Sequence, residues 1–243
     1  MLRFLLRPRW LALTGLVLLL VPLFLRLSQW QYDRHLDRRA SADVVRANID
    51  RPPAPLADVL PAAPAVTNAV QWRQVTLTGR WDADAEVLVR NRPFEGRSGL
   101  LVVTPLVPAS GPALLVARGH VPAAASATDR PDVPAAQPGE VTVVARLRPG
   151  ETPRSVEGLP PGQVLAVDPD ALADELGYPL VDGYGELVSE QPAPADAPTP
   201  VEGPSVSPGP HLSYAVQWVL FALLAVGGWV MLAWREVQTA RSV

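Results

Sequence analysis

His211, Tyr214 and Trp218 open the last apolar stretch of the chain, in the string HLSYAVQW. Their i, i+3, i+7 spacing puts them on nearly one face of a helix. A neutral imidazole at a membrane boundary, among aromatic and apolar groups, is what ligation of a lipophilic metal macrocycle needs. The same His also suits a helix cap or a headgroup contact, and Tyr214 and Trp218 suit a belt of interfacial aromatics. The remaining histidines, His35 and His120, lie far off in sequence. No HExxH, two-His-one-carboxylate spacing or GxSxG elbow is present, and the carboxylates are scattered singly rather than paired for acid-base work. With no cysteine there is no disulfide, CxxC pair, zinc finger, iron-sulfur cluster or thiol nucleophile. All 21 basic residues are arginine, which excludes Schiff-base chemistry, a Ser-Lys dyad and a phosphate-loop lysine. A net charge of −3 and 6% aromatic content argue against nucleic-acid binding. No set of catalytic roles is assembled, so the chain reads as non-enzymatic. A membrane hydrolase would require a nucleophile brought beside His120 or His211 by the fold.

The elements that must position His211 are the two apolar ends. Between Arg9 and Arg26 run 16 uncharged residues, roughly 24 Å as a helix, nearly a full crossing if Arg26 snorkels. Between His211 and Arg235 run 23, enough to span with tilt. The first stretch reads as a retained anchor rather than a cleaved signal: the nearest small-x-small site, Ala40 to Ala42, lies well beyond it, behind Asp33, Arg34, His35, Asp37, Arg38 and Arg39. Arg3, Arg7 and Arg9 precede the first span and Arg235 and Arg241 follow the second, while no Arg occurs between Arg154 and Arg235. Arginine bias then places both termini in the cytoplasm and the middle region outside, in a plasma membrane crossed twice. Arg26, Arg34, Arg38 and Arg39 oppose this locally, but long loops translocate regardless of charge.

The expected organisation is a cytoplasmic N-terminus (1–9), a first span (10–27), a juxtamembrane helix (28–50), a β-rich extracytoplasmic domain (51–190), a Pro-rich tether (191–210), a second span (211–234) and a cytoplasmic C-terminus (235–243). The juxtamembrane part carries Leu36, Ala40 and Val44 every four residues among charges, helical spacing that continues the first span. Residues 51–65 are too rich in proline for a helix interior and read as a connector. Short β-branched runs follow at 74–79, 86–91, 99–107, 113–119, 140–148, 163–168 and 185–188. One helix interrupts them, with Asp168 as cap, Pro169 at its first position and Gly177 ending it. Residues 191–210 hold seven prolines, two acids and no base, which reads as an extended, semi-rigid tether. The fold class is therefore α+β: two transmembrane helices flanking a mostly antiparallel sheet or barrel-like domain. Small residues Ala222, Ala225, Gly227 and Gly228 permit close approach to the first span or to a partner.

The string H-L-x-Y-A-x-x-W resembles the C-terminal signature of the Surfeit locus protein 1 family, cytochrome c oxidase assembly factors. Trp30, Gln31 and Arg34 match its W-Q-x-x-R after the first span. Trp72, Arg73 and Val75, then Gly79 and Trp81, resemble its (Y/W)-R-x-V and G-x-(F/Y/W). Gly99 with Thr104, Pro105 and Leu106 resembles G-x-x-x-x-T-P-L, and Val116, Arg118, Gly119, Val121 and Pro122 resemble V-N-R-G-W-V-P. The likeness runs in order over nearly the whole chain; it departs at Ala117 for Asn and at His120 for Trp, where the histidine fills an aromatic slot or serves as a ligand. The resemblance implies non-enzymatic help in building the oxidase core, by receiving haem a and favouring its insertion into oxidase subunit I, with haem a synthesis enzymes as further partners. It implies His211 as iron ligand, with Tyr214 and Trp218 beside it. Arg34 and Arg118 suit the propionates; their ordinary alternatives are a headgroup contact and a turn-stabilising salt bridge. The rival reading is a membrane scaffold that grips oxidase assembly intermediates through its outer domain and binds no haem.

Overall fold

The computed structural model describes residues 3–61, 65–94, 96–126, 129–152, 158–204, 206–207 and 209–239. Arg154 and Arg241, used above for orientation, lie outside the described residues. The chain divides into two compact units, one formed by Met1–Asp43 with Val206–Val243, the other by Val44–Ser205.

The first unit is a pair of helices. Helix α1 runs without a break through Pro8–Ile49, so the apolar stretch and the charged juxtamembrane stretch are one element. Its internal Pro22 falls within the apolar part, where a missing amide hydrogen is tolerated. Helix α4 spans His211–Thr239. The contacts between them run antiparallel in matched steps: Arg7 meets Glu236, Trp10 and Thr14 meet Trp229, Phe24 meets Trp218, Ser28 meets Ala215 and Gln31 meets His211. Ala215 and Ala222, seven residues apart on α4, are buried, which is how small residues let the backbones approach. Gly227 and Gly228 play no such part, since a Cβ at either would meet nothing within 4 Å. The most apolar window of α1 is 0% buried and that of α4 11%, so neither is the core helix of the described fold. Both are long and apolar enough to cross a membrane. From Trp10 to Trp30 and from Tyr214 to Trp234 each helix rises roughly 30 Å, the thickness of a bilayer's hydrocarbon.

The second unit is a sheet folded on itself. Its elements are β1 (Ala54–Pro55), α2 (Leu56–Val59), β2 (Gln74–Trp81), β3 (Val87–Phe94), β4 (Arg97–Val107), β5 (Ala113–Pro122), β6 (Glu140–Arg148), β7 (Gln163–Val164), α3 (Pro169–Leu176) and β8 (Leu180–Gln191). The strand order is β1-β2-β6-β8-β5-β4-β3-β7, mostly antiparallel, with parallel pairs at β1/β2, β5/β8 and β3/β7. A further pairing of β2 with β4 joins Arg80 to Val107 and Trp81 to Leu106, closing a ring through two residue pairs, too short a seam for a clear barrel. At that seam Gly79 is required, because a Cβ there would stand 2.5 Å from the Val107 carbonyl oxygen.

Alternation along β5 builds two cores. Leu114 and Val116 join Val75, Leu106, Val141, Val143 and Leu147 in one cluster. Ala113, Leu115 and Ala117 face the other way and join Val89, Val103 and, from α3, Leu172 in the second. A strand buried on both faces must be apolar almost throughout, which is why the run ALLVARG carries a single charge. Helix α3 follows its sequence signals: the Asp168 side chain accepts from the Ala171 amide, and Gly177 ends it in the left-handed region.

Three differences from the sequence reading have physical reasons. The connector at 51–65 holds a strand and a helical turn, because Leu56 finds a place in the first core. The run 163–168 pairs over two residues only, as the chain turns away toward the Asp168 cap. The Pro-rich stretch is partly docked: Thr199 exchanges backbone hydrogen bonds with His120, and the Val201 carbonyl accepts from Arg146 at 2.9 Å. Pairing of β5 with β8 ends at Ala117, so the backbone of His120 is left open to an extended segment without its own core.

Candidate functional site

At the start of α4, His211 is half-buried, and its Nδ1 lies 2.9 Å from Gln31 Oε1 on α1. The antiparallel register brings these two residues together across 180 positions of sequence. If Nδ1–H donates to the Gln31 carbonyl, Nε2 is left as the basic nitrogen, the usual way a second shell prepares a histidine ligand. Among the described residues Nε2 has no hydrogen-bond partner. Trp218, two turns on, stacks on Phe24 at 5.6 Å between ring centroids and meets Phe221 edge-on. Its place is the seam between the helices, and it forms an apolar floor one to two turns below His211. Tyr214 is exposed on the flank of the same helix, as a belt aromatic is. Arg34 is exposed on α1, three residues past Gln31, and makes no ion pair among the described residues. His35, one turn past Gln31, has a buried Nδ1 without a described partner. No group of three or more His, Asp or Glu able to hold a metal ion occurs among the described residues.

Arg118 belongs to the second unit and is committed there. Its side chain is 2% exposed; Nη1 donates to Glu86 Oε2 at 3.0 Å and Nη2 to the carbonyls of Pro134 and Ala135. Thr104 donates to the same Glu86 oxygen at 3.1 Å, and Trp81 lies 5.9 Å under the guanidinium. A propionate would have to displace Glu86 and leave that buried carboxylate with the exposed Arg130 as its ionic partner; Arg118 stands in the fold as a strut of the β unit. Trp81 also donates to Glu190, buried on β8, at 2.7 Å. Nearby, Arg148 stacks over Trp72 at 4.0 Å while donating to Glu186 at 2.6 Å. Burial pushes the Glu186 carboxyl up despite Arg148 and Arg146 beside it. Tyr178 donates to Asp82 at 2.9 Å, and burial with that carboxylate raises its phenol.

His120 fills an aromatic slot: it stacks on Phe94 at 5.5 Å with the planes 7° apart, and its buried Nδ1 has no described partner. Burial, with Arg92 nearby, lowers its pKa, favouring the neutral ring. Gly119 beside it has φ +150°, and a Cβ there would run into the Thr199 carbonyl oxygen.

The residues that carry the family resemblance thus sort into two sets. Gln31 and His211 face each other in the helix pair; Trp72, Gly79, Trp81, Thr104, Arg118 and Gly119 build the buried polar lattice and close contacts of the β unit. The model of the SURF1 family matches residues 18–223. This chain belongs to the SURF1 family. A SURF1-like protein of Mycobacterium bovis is 36% identical over 248 residues, covering 99% of this chain and 89% of the relative. A SURF1-like protein of Mycobacterium tuberculosis matches to the same extent. The SURF1 family is one of assembly factors linked to cytochrome c oxidase. Gln31 had a signal in the motif that contains it; Glu86, on which the β unit's lattice converges, had none beyond being one of many carboxylates.

Proposed function

We propose that this SURF1-family chain is a two-pass plasma-membrane protein, with both termini cytoplasmic and its β unit extracytoplasmic, that receives haem a and aids its insertion into subunit I of the haem-copper oxidase. The observation that carries this is the His211–Gln31 contact, an imidazole presented by a partner on the other helix at the level of the interfacial aromatics. Haem a as cargo offers an iron that takes an imidazole nitrogen, an apolar tail that partitions into lipid and carboxylates that pair with arginine. His211 would hold the iron through Nε2, Gln31 orients the ring, Tyr214 and Trp218 supply apolar flanks, and Arg34 is open to a propionate. A single axial ligand near a lipid-exposed edge holds cargo that must later be released. Arginines Arg7, Arg9 and Arg235 at the end where both termini emerge support the orientation. The partners are oxidase subunit I and the enzymes that make haem a.

The test is the absorption spectrum of the detergent-solubilised full chain purified from cells that make haem a. Wild type is expected to carry a Soret band, His211→Ala to lose it, and Gln31→Ala to bind about 10- to 100-fold more weakly, as loss of a second-shell partner does. Wild-type protein without haem refutes the carrier and leaves a scaffold that holds assembly intermediates through its β unit.

A further inference from the structure

At the opposite end of the helix pair from His211, a cleft of about 620 Å³ opens between the first turns of α1 and the last turns of α4. Arg7, Arg9, Arg235 and Glu236 line it, above Trp10, Leu13 and Leu232. Glu236 is shared: a single oxygen, Oε1, meets Arg7 at 3.0 Å and also Arg9. Among the described residues, three guanidinium groups against one carboxylate leave the lining with two more positive charges than negative. The Arg7 and Arg9 side chains are 61% and 60% exposed, so their bond to Glu236 is a wet one that an incoming anion can replace. Guanidinium matches phosphate oxygens through paired hydrogen bonds. Exposed Trp234, next to Arg235, sets this end at headgroup depth.

We propose that this cleft binds the phosphate of an anionic membrane phospholipid, with the arginines on the phosphate and Leu13 and Leu232 against the start of its acyl chains. The proposal rests on the reading of α1 and α4 as membrane spans. A phosphate could also come from a soluble phosphorylated compound, but the apolar floor favours the lipid. Liquid water takes about 30 Å³ per molecule, so the cleft holds about 20 waters' worth of volume, ample for a phosphodiester with its glycerol.

The test uses the full chain in neutral detergent, titrated with dioleoyl phosphatidylglycerol or dioleoyl phosphatidylcholine and read by native mass spectrometry. Phosphatidylglycerol is expected to be retained over phosphatidylcholine, and Arg9→Gln/Arg235→Gln to weaken it about 25-fold at about fivefold per arginine. Glu236→Gln removes the competing carboxylate and is expected to tighten binding about fivefold, a gain that misfolding cannot mimic. Equal retention of the two lipids, or variants that leave the ratio unmoved, overturns the proposal. If inorganic phosphate at millimolar concentration displaces the lipid and binds as tightly, the site serves a soluble anion and the lipid assignment falls. Flotation with pure phosphatidylcholine vesicles depends on the spans alone; its failure sinks the membrane reading instead.

Discussion

Replacing Arg118 with Ala tests the claim that the motif arginine is a strut of the β unit. Its guanidinium makes three hydrogen bonds, to Glu86 Oε2 at 3.0 Å and to the carbonyls of Pro134 and Ala135 at 3.1 and 3.0 Å, with its side chain 2% exposed. Glu86 would keep Arg130, but that partner is 60% exposed and 3.3 Å away, a contact that solvent screens heavily. Breaking a buried pair from one side costs about 3–5 kcal/mol, because the remaining charge stays desolvated. For a unit of this size that is a fall in melting temperature of roughly 6–20 °C. Removing Glu86 as well should cost less than the sum of the single changes by about 1–3 kcal/mol, since no orphaned carboxylate is left. Arg118→Lys keeps the charge but not the fork, and falls between. The assay is thermal melting of the detergent-solubilised full chain, followed by hydrogen exchange of peptides from the β unit. A loss below about 1 kcal/mol for Arg118→Ala, or strict additivity with Glu86→Ala, refutes the reasoning.

Three further outcomes are expected. The native His120 ring resists protonation, so as pH falls below its ordinary 6.5 the unfolded chain takes up the proton first and the β unit loses stability. His120→Phe keeps the stack on Phe94 and should flatten the fall in melting temperature as pH drops below about 6.5; an unchanged slope contradicts this. Burial pushes the Tyr184 phenol from 10 to about 12, so the unfolded chain ionises first and stability declines as pH rises through that interval. The two-unit difference amounts to roughly 3 kcal/mol, and Tyr184→Phe should reduce the alkaline loss in pH-jump unfolding, leaving the share that the raised Tyr178 phenol contributes. Gly79→Ala should cost about 1–3 kcal/mol, as overpacking against a backbone does. A melting temperature unchanged within a degree would show that the β2–β4 seam yields freely.

Much of the molecule was legible in the chain because local rules govern it. Hydropathy marked both long helices, and Asp168, Pro169 and Gly177 marked α3 to the residue, since a cap and a left-handed glycine act within a few positions. The strands were legible as runs, while their lengths were not: β8 grew from four expected residues to Leu180–Gln191, because pairing with β5 and β6 on either side extends it. At the candidate site, the type and helical spacing of His211, Tyr214 and Trp218 were readable. The partners were not. Gln31 is 180 positions from His211, and no local rule links them.

By itself, the sequence determined that two apolar helices bracket a β-rich middle, that cysteine and lysine chemistry is impossible, and that the strings matching the SURF1 family follow in order. Tertiary structure alone decided that Arg118 is used up inside the β unit, that His120 is a stacking partner, that Gln31 holds His211, and that Arg7 and Arg9 converge on the Glu236 carboxylate. The division has one cause. Periodicity and capping are written in neighbouring residues, whereas whether a charged side chain is free or committed depends on groups that folding brings from distant positions into the same few ångströms.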